Sequence, residues 1–159
     1  MYVHIFAPME IEEAIKQKNF KDPYERAMVN LLYTGSWLEY IQASVFKNHG
    51  LSLQQYNILR ILKGQFPEPI TVNMLIERMI DKSSNASRIV EKLRVKGLLE
   101  RKVCPADRRR VDIFITEEGS GILTKATADL ANLHKRMRNL SNEEADQLNT
   151  LLTKLRTKE

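Results

Sequence analysis

A single cysteine in 159 residues, Cys104, excludes an internal disulfide framework and fits a reducing compartment, so a cytoplasmic protein is expected. No apolar run approaches the roughly eighteen residues needed to cross a bilayer. Residues 1–9 lack a basic leader, a sustained apolar stretch and a small-residue cleavage site, so no secretory signal is expected, and Met9 is an alternative start to Met1. The chain has no glycine-rich phosphate loop, no nucleophile elbow and no cysteine–histidine constellation. His4, His49 and His134 are scattered without ligand spacing. These absences argue against an enzyme, a metal site and a cofactor. What remains is 43% hydrophobic, enough for a core, with no internal repeat and no low-complexity tract.

The formal net charge of +5 is unevenly placed. Residues 51–116 hold 13 lysines and arginines against 7 acids, and the rest of the chain holds 12 against 13. All the surplus positive charge therefore sits in one stretch. Phosphate binding needs such clustering, because each neutralised phosphate releases counterions; a basic but merely solvated surface is the alternative.

Apolar spacing divides the chain. A short helix is expected over 11–18 and a break at 19–23. A long helix follows from Pro23 to Lys47, with Ala27, Leu31, Leu38, Ile41 and Val45 at helical spacing. Residues 48–50 end it. Ser52 and Gln55 form a capping box for a helix whose inward face is Tyr56, Leu59 and Leu62. Gly64 and Pro67–Pro69 close that helix. Thr71 caps a short helix with Met74, Leu75 and Met79, and a tight connection over 81–84 leads to a helix from Ser84 to Lys96. Beyond Gly97 the period becomes two: 99–103 and 110–115 read as strands joined by a basic loop. Thr116, Glu117 and Glu118 open a helix reaching about Asn139, and Ser141 with Glu144 caps a last one. The expected fold is mainly α with a small β-hairpin: a winged helix-turn-helix over 51–116, flanked by helices at 1–50 and 117–159.

With Ala86, Ile89, Val90 and Leu93 inward, the helix from Ser84 presents Ser84, Asn85, Ser87, Arg88, Glu91 and Lys92 outward. Asn85 and Arg88 are side chains able to pair bidentately with adenine and guanine; Ser83 and Ser84 suit phosphate. A solvated helix face is the bland alternative. Thr71 and Asn73 open the preceding helix toward the same partner. The hairpin carries Arg108, Arg109 and Arg110, a cation run suited to a minor groove, although alternation lets only some point forward. Asp107 either aims a neighbouring arginine through a charge-assisted pair or is a loop-turn aspartate.

The run Asp107-x-Arg109-x-x-x-Ile113-x-Ile115-Thr116 followed by Glu117-Glu118-Gly119 resembles the wing motif of the MarR (multiple antibiotic resistance regulator) family. The blocks Leu53–Leu59, Ser87–Leu93 and Lys96–Arg101 agree with it, so the resemblance covers about 51–119. It implies a sequence-specific regulator of transcription, more simply a repressor than an activator. It also implies a homodimer built from the N- and C-terminal helices that binds a pseudo-palindromic duplex. Arg109 becomes the minor-groove arginine and 84–92 the major-groove face. Asn73 and Ile76 depart from the family's often alanine-rich pattern.

Many such regulators release DNA when a small aromatic acid binds. Tyr33, Trp37 and Tyr40 lie at i, i+4 and i+7, which allows a small-molecule pocket or, alternatively, the packed core of a dimer. Cys104, among Arg101, Lys102 and Arg108, is either a redox-sensitive thiol or a filler. A winged module for protein contacts is the rival function; the triple arginine and the Ser/Asn/Arg face argue for DNA instead.

Overall fold

The computed structural model describes residues 9–157 except Ser83, Ala106, Arg108 and Met137. Its described elements run α1 (Ile11–Ala14), α2 (Pro23–Asn48), α3 (Leu53–Gln65), α4 (Val72–Arg78), α5 (Ala86–Val95), β1 (Leu99–Val103), β2 (Val111–Ile115), α6 (Glu117–Arg136) and α7 (Asn142–Leu155). Ser83 and Arg108, both expected to touch DNA, lie outside the described residues, as do residues 1–8 with His4.

Local chemistry sets most boundaries. Asp22 opens α2 by accepting the Glu25 N–H at 2.8 Å, with Pro23 in the first turn. Ser52 and Gln55 satisfy each other's backbone N–H groups at the start of α3, and Ser141 and Glu144 do the same for α7. Two helices end on left-handed glycines. After α2, Gly50 (φ 66°) donates to Lys47 and Leu51 donates to Phe46; after α5, Gly97 (φ 73°) donates to Arg94 and Leu98 donates to Leu93. Both are Schellman closures, which turn the chain sharply and let the next apolar residue drop into the core.

That core is built around α3. Ile58, Leu59 and Leu62 from α3, Leu75 from α4, Val90 and Leu93 from α5, Leu99 from β1 and Ile113 from β2 are all buried together. Phe46, at the end of α2, stacks on Tyr56 with ring centroids 4.2 Å apart, joining the long helix to this core. Each of these large side chains contributes about 1.5–3 kcal/mol by leaving water. Leu123 and Ala126 of α6 close the cluster from the other side.

The hairpin is antiparallel, in register from Leu99↔Ile115 to Val103↔Val111. A third short segment joins it: Ile70 exchanges both backbone hydrogen bonds with Ile113, at 3.2 and 2.9 Å. The wing root is thereby tied to the residue just before the cap of α4. Nothing in the sequence pattern marked Ile70 as a strand residue, since one bridge residue has no periodicity.

Several boundaries differ from expectation. The first helix stops at Ala14, and Lys16 takes a positive φ of 57°. The fifth begins at Ala86, not Ser84. The third passes Gly64 and ends at Gln65, before Phe66 and Pro67. Arg110 sits in the loop rather than in β2, and α6 ends at Arg136, short of Asn139. Among the described residues no helix is long and apolar enough to cross a membrane.

Candidate nucleic-acid interface

Helix α5 buries Ala86, Val90 and Leu93 and half-buries Ile89, which turns Ser87, Arg88 and Lys92 into solvent. A cleft of about 840 Å³ runs along this face, lined by Ser84, Asn85, Arg88 and Lys92 on one side and Ser52, Gln54 and Gln55 at the start of α3 on the other. The helix start is built differently from the sequence reading. Asn85 stands before α5 as its N-cap, and its Oδ1 accepts the Arg88 N–H at 3.0 Å. One of the two lone pairs of that amide oxygen is thus committed to the helix, and Asn85 is otherwise exposed. Ser84 donates to Asp81 at 2.6 Å, so its hydroxyl is engaged within the turn.

Glu91 on the same helix draws two arginines to itself. Arg94 donates to it through Nε and Nη2 at 2.8–3.2 Å, and Arg101 of β1 lies 3.8 Å away. Hydrogen bonding to Arg94 holds the Glu91 carboxyl below the usual glutamate range. Lys96, past the helix end, donates to the Gly50 carbonyl and to Gln55, clamping α5 to the start of α3. The sequence had signalled none of these roles.

The wing residues are divided. Asp107 accepts the backbone N–H of Arg109 at 3.0 Å and its own carbonyl accepts from Arg110 at 2.9 Å. Asp107 thus forms the turn; among the described residues its side chain makes no ion pair with a wing arginine, and Arg108, the neighbour on its other candidate reading, lies outside those residues. It orients the wing through the backbone. Arg109 is exposed and its guanidinium has no partner among the described residues. Arg110 donates from Nε to Asp112 at 2.7 Å, and that hydrogen bond raises the arginine above its ordinary value. Asp112 is 7% exposed, a carboxylate buried at the wing root. A second cleft, about 410 Å³, separates the wing from α4 and gathers Thr71, Asn73, Arg101, Arg109 and Arg110. Thr71 caps α4 by accepting the Met74 N–H at 3.3 Å, while Asn73 is exposed.

Cys104 is half-buried, its N–H donating to Arg110 and its carbonyl accepting from Asp107. Tyr33 and Tyr40 are exposed on α2 and Trp37 is half-buried; neither cleft includes them. The structure thus brings Thr71, Asn73 and Arg109–Arg110 together, sets Ser84, Asn85, Arg88 and Lys92 along a different cleft, and leaves the aromatic stripe outside both.

Comparison with known proteins bears on the fold and the family. The family model described as "MarR family" matches residues 49–110. The chain is 30% identical over 108 residues to the HTH-type transcriptional regulator MhqR of Bacillus subtilis (strain 168), covering 67% of this chain and 73% of that one. It is 27% identical to the transcriptional repressor MprA of Escherichia coli (strain K12), covering 94% of this chain and 88% of that one. Among solved structures, the organohalide-sensing transcriptional regulator RdhR in its 2,4-dichlorophenol-bound form superposes with a TM-score of 0.77 at 22% identity, over 98% of this chain and 88% of that chain.

Proposed function

The chain belongs to the MarR family of transcriptional regulators, and from that premise we propose that it is a homodimeric repressor that binds a pseudo-palindromic duplex and lets go on a chemical signal. The carrying observation is that one winged domain has two basic clefts, one along α5 and one at the wing root. In this reading Arg88, Lys92 and the outward edge of Asn85 enter a major groove, and Ser87 approaches it alongside. Arg109, exposed and unpartnered among the described residues, reaches the adjacent minor groove. Thr71 and Asn73 meet backbone phosphates, whereas the Ser84 hydroxyl stays with Asp81.

Dimerisation is supported by what α7 lacks. None of its residues is buried, and Leu148, Leu151 and Leu155 are 45%, 56% and 54% exposed along one strip. Helix α2 likewise leaves Tyr24, Met28, Leu32 and Tyr40 in solvent. Such apolar surface on two long helices calls for a partner, and a second copy of the flanking segments 1–50 and 117–159 supplies one. Tyr33, Trp37 and Tyr40 then pack at the dimer helices. RdhR is described in a 2,4-dichlorophenol-bound form, in keeping with a small aromatic effector for this chain as well. Repression follows the simplest mechanism, a compact dimer occluding a promoter, and MprA is by name a transcriptional repressor.

Selection of duplexes from a random pool by the purified protein, followed by binding titrations at several salt concentrations, tests this. A two-fold symmetric site is expected, with affinity falling steeply as salt rises. An unsymmetrical site, or affinity indifferent to salt, would defeat the reading.

A further inference from the structure

Asp112 poses a physical question. A carboxylate at 7% exposure costs desolvation, and beside a DNA-facing wing it also repels phosphate. Its cross-strand neighbour Lys102 does not pair with it; Lys102 turns to Glu100 at 2.6 Å and lies over the Phe114 ring. Among the described residues Asp112 pairs with Arg110 alone, through a single contact from Nε to Oδ1. Residues 110 and 112 stand two apart, the spacing that puts side chains on one side of an extended chain.

The choice of Nε matters. A guanidinium carries five N–H donors, four of them on its two terminal nitrogens. Held from behind at Nε, Arg110 keeps that terminal fork unused by any described residue, and its side chain remains 45% exposed. It lines the wing-root cleft with Arg101 and Arg109, where three guanidiniums face one lining acid, Asp107. Fork geometry of this kind matches the paired oxygens of a phosphodiester.

We propose that Asp112 is a positioning residue that braces Arg110 from behind so that its free fork, with Arg101 beside it, seats one backbone phosphate of the DNA at the root of the wing. The two consecutive arginines then divide the work: Arg109 enters the groove and Arg110 fixes how deep the wing can go. The inference rests on the DNA-binding reading above and adds a phosphate contact and an acid that serves it.

The test is a salt series of binding titrations on the selected duplex with the full-length wild type, Arg110→Ala, Arg110→Lys, Asp112→Asn and the double variant Arg110→Ala/Asp112→Asn. Each variant's fold is checked by circular dichroism at the titration temperature. Arg110→Ala should lose about tenfold in affinity and lower the slope of log affinity against log salt by about one. Arg110→Lys should keep the slope and recover only part of the affinity, because it has charge without a fork. Asp112→Asn should lose about threefold, and the double variant should lose no more than Arg110→Ala alone. Tighter binding by Asp112→Asn would mean that the acid merely neutralises Arg110, and would overturn the proposal. Wild-type affinity and slope in Arg110→Ala, or fully additive losses in the double variant, would overturn it equally. A wild type without salt-sensitive binding would instead bring down the DNA reading, and this proposal with it.

Discussion

Arg109 and Arg110 are neighbours of the same type with different surroundings. Arg110 is tied at Nε to a buried carboxylate, whereas among the described residues Arg109 has only its backbone N–H engaged, by Asp107. An untethered arginine beyond a turn can extend into a narrow groove, where the potential is most negative. Arg109→Ala should therefore weaken operator binding about ten- to a hundredfold. The exposed Lys18, which lines neither cleft, should cost little when changed to alanine; titrations giving equal losses would show the wing misassigned. The depressed carboxyls make a second prediction at this scale. Glu91 is lowered first by its hydrogen bond to Arg94, and Glu12 first by its hydrogen bond to Arg26. A depressed acid favours the folded state above its unfolded pKa and loses that contribution as pH falls through the lower folded value. Carboxyl NMR titrations should place both midpoints below the ordinary 4.5, with Glu91 returning toward it in Arg94→Ala. A Glu91 midpoint unmoved by that substitution would disprove the cause.

At the scale of elements, caps and glycines carry unusual weight. The start of α6 passes so close to the α5–β1 corner that a Cβ on Gly119 would lie 2.0 Å from the Leu98 carbonyl oxygen. Backbone cannot yield that distance cheaply, so Gly119→Ala should destabilise the fold by about 2–3 kcal/mol or more, read as a lowered urea midpoint. An unchanged midpoint would show that α6 can slide. Cap signals in the sequence were dependable here because a capping box is a local event: Ser52 with Gln55, and Ser141 with Glu144, need only a four-residue stretch to satisfy their N–H groups. The start of α5 was less legible. Ser84 and Asn85 are both good caps by type, and the tie was broken by Asp81, which takes the Ser84 hydroxyl and leaves Asn85 to cap.

At the scale of the molecule, the exposed leucines of α7 and the single fully buried side chain of the 26-residue α2 make sense only with more protein against them. Leu151→Glu should put a charge into the expected interface and shift sedimentation from dimer to monomer at micromolar concentration. It should also abolish tight operator binding, since one winged domain alone has half the contacts. A variant that remains dimeric would move the interface elsewhere. Coupling of an effector to DNA release would have to pass between these helices and the winged domain through the joint where Phe46 stacks on Tyr56 and His49 meets Asp129 at 2.8 Å.

The basic stretch over 51–116 and its resolution into helices and a hairpin were determined by the sequence itself, because charge clustering, apolar period and capping are short-range properties. The family match of the Asp107–Gly119 run also belongs to that level. Tertiary structure decided what periodicity cannot carry: that Ile70 pairs with Ile113 and pins the wing to α4, and that Asp107 works through the backbone. It also decided that Asp112, an unremarkable polar residue in an alternating strand, is buried against Arg110. The Ile70 bridge and the burial of Asp112 depend on which distant segment arrives alongside, which the closed core around α3 sets, while the Asp107 turn depends on backbone angles that apolar period does not record.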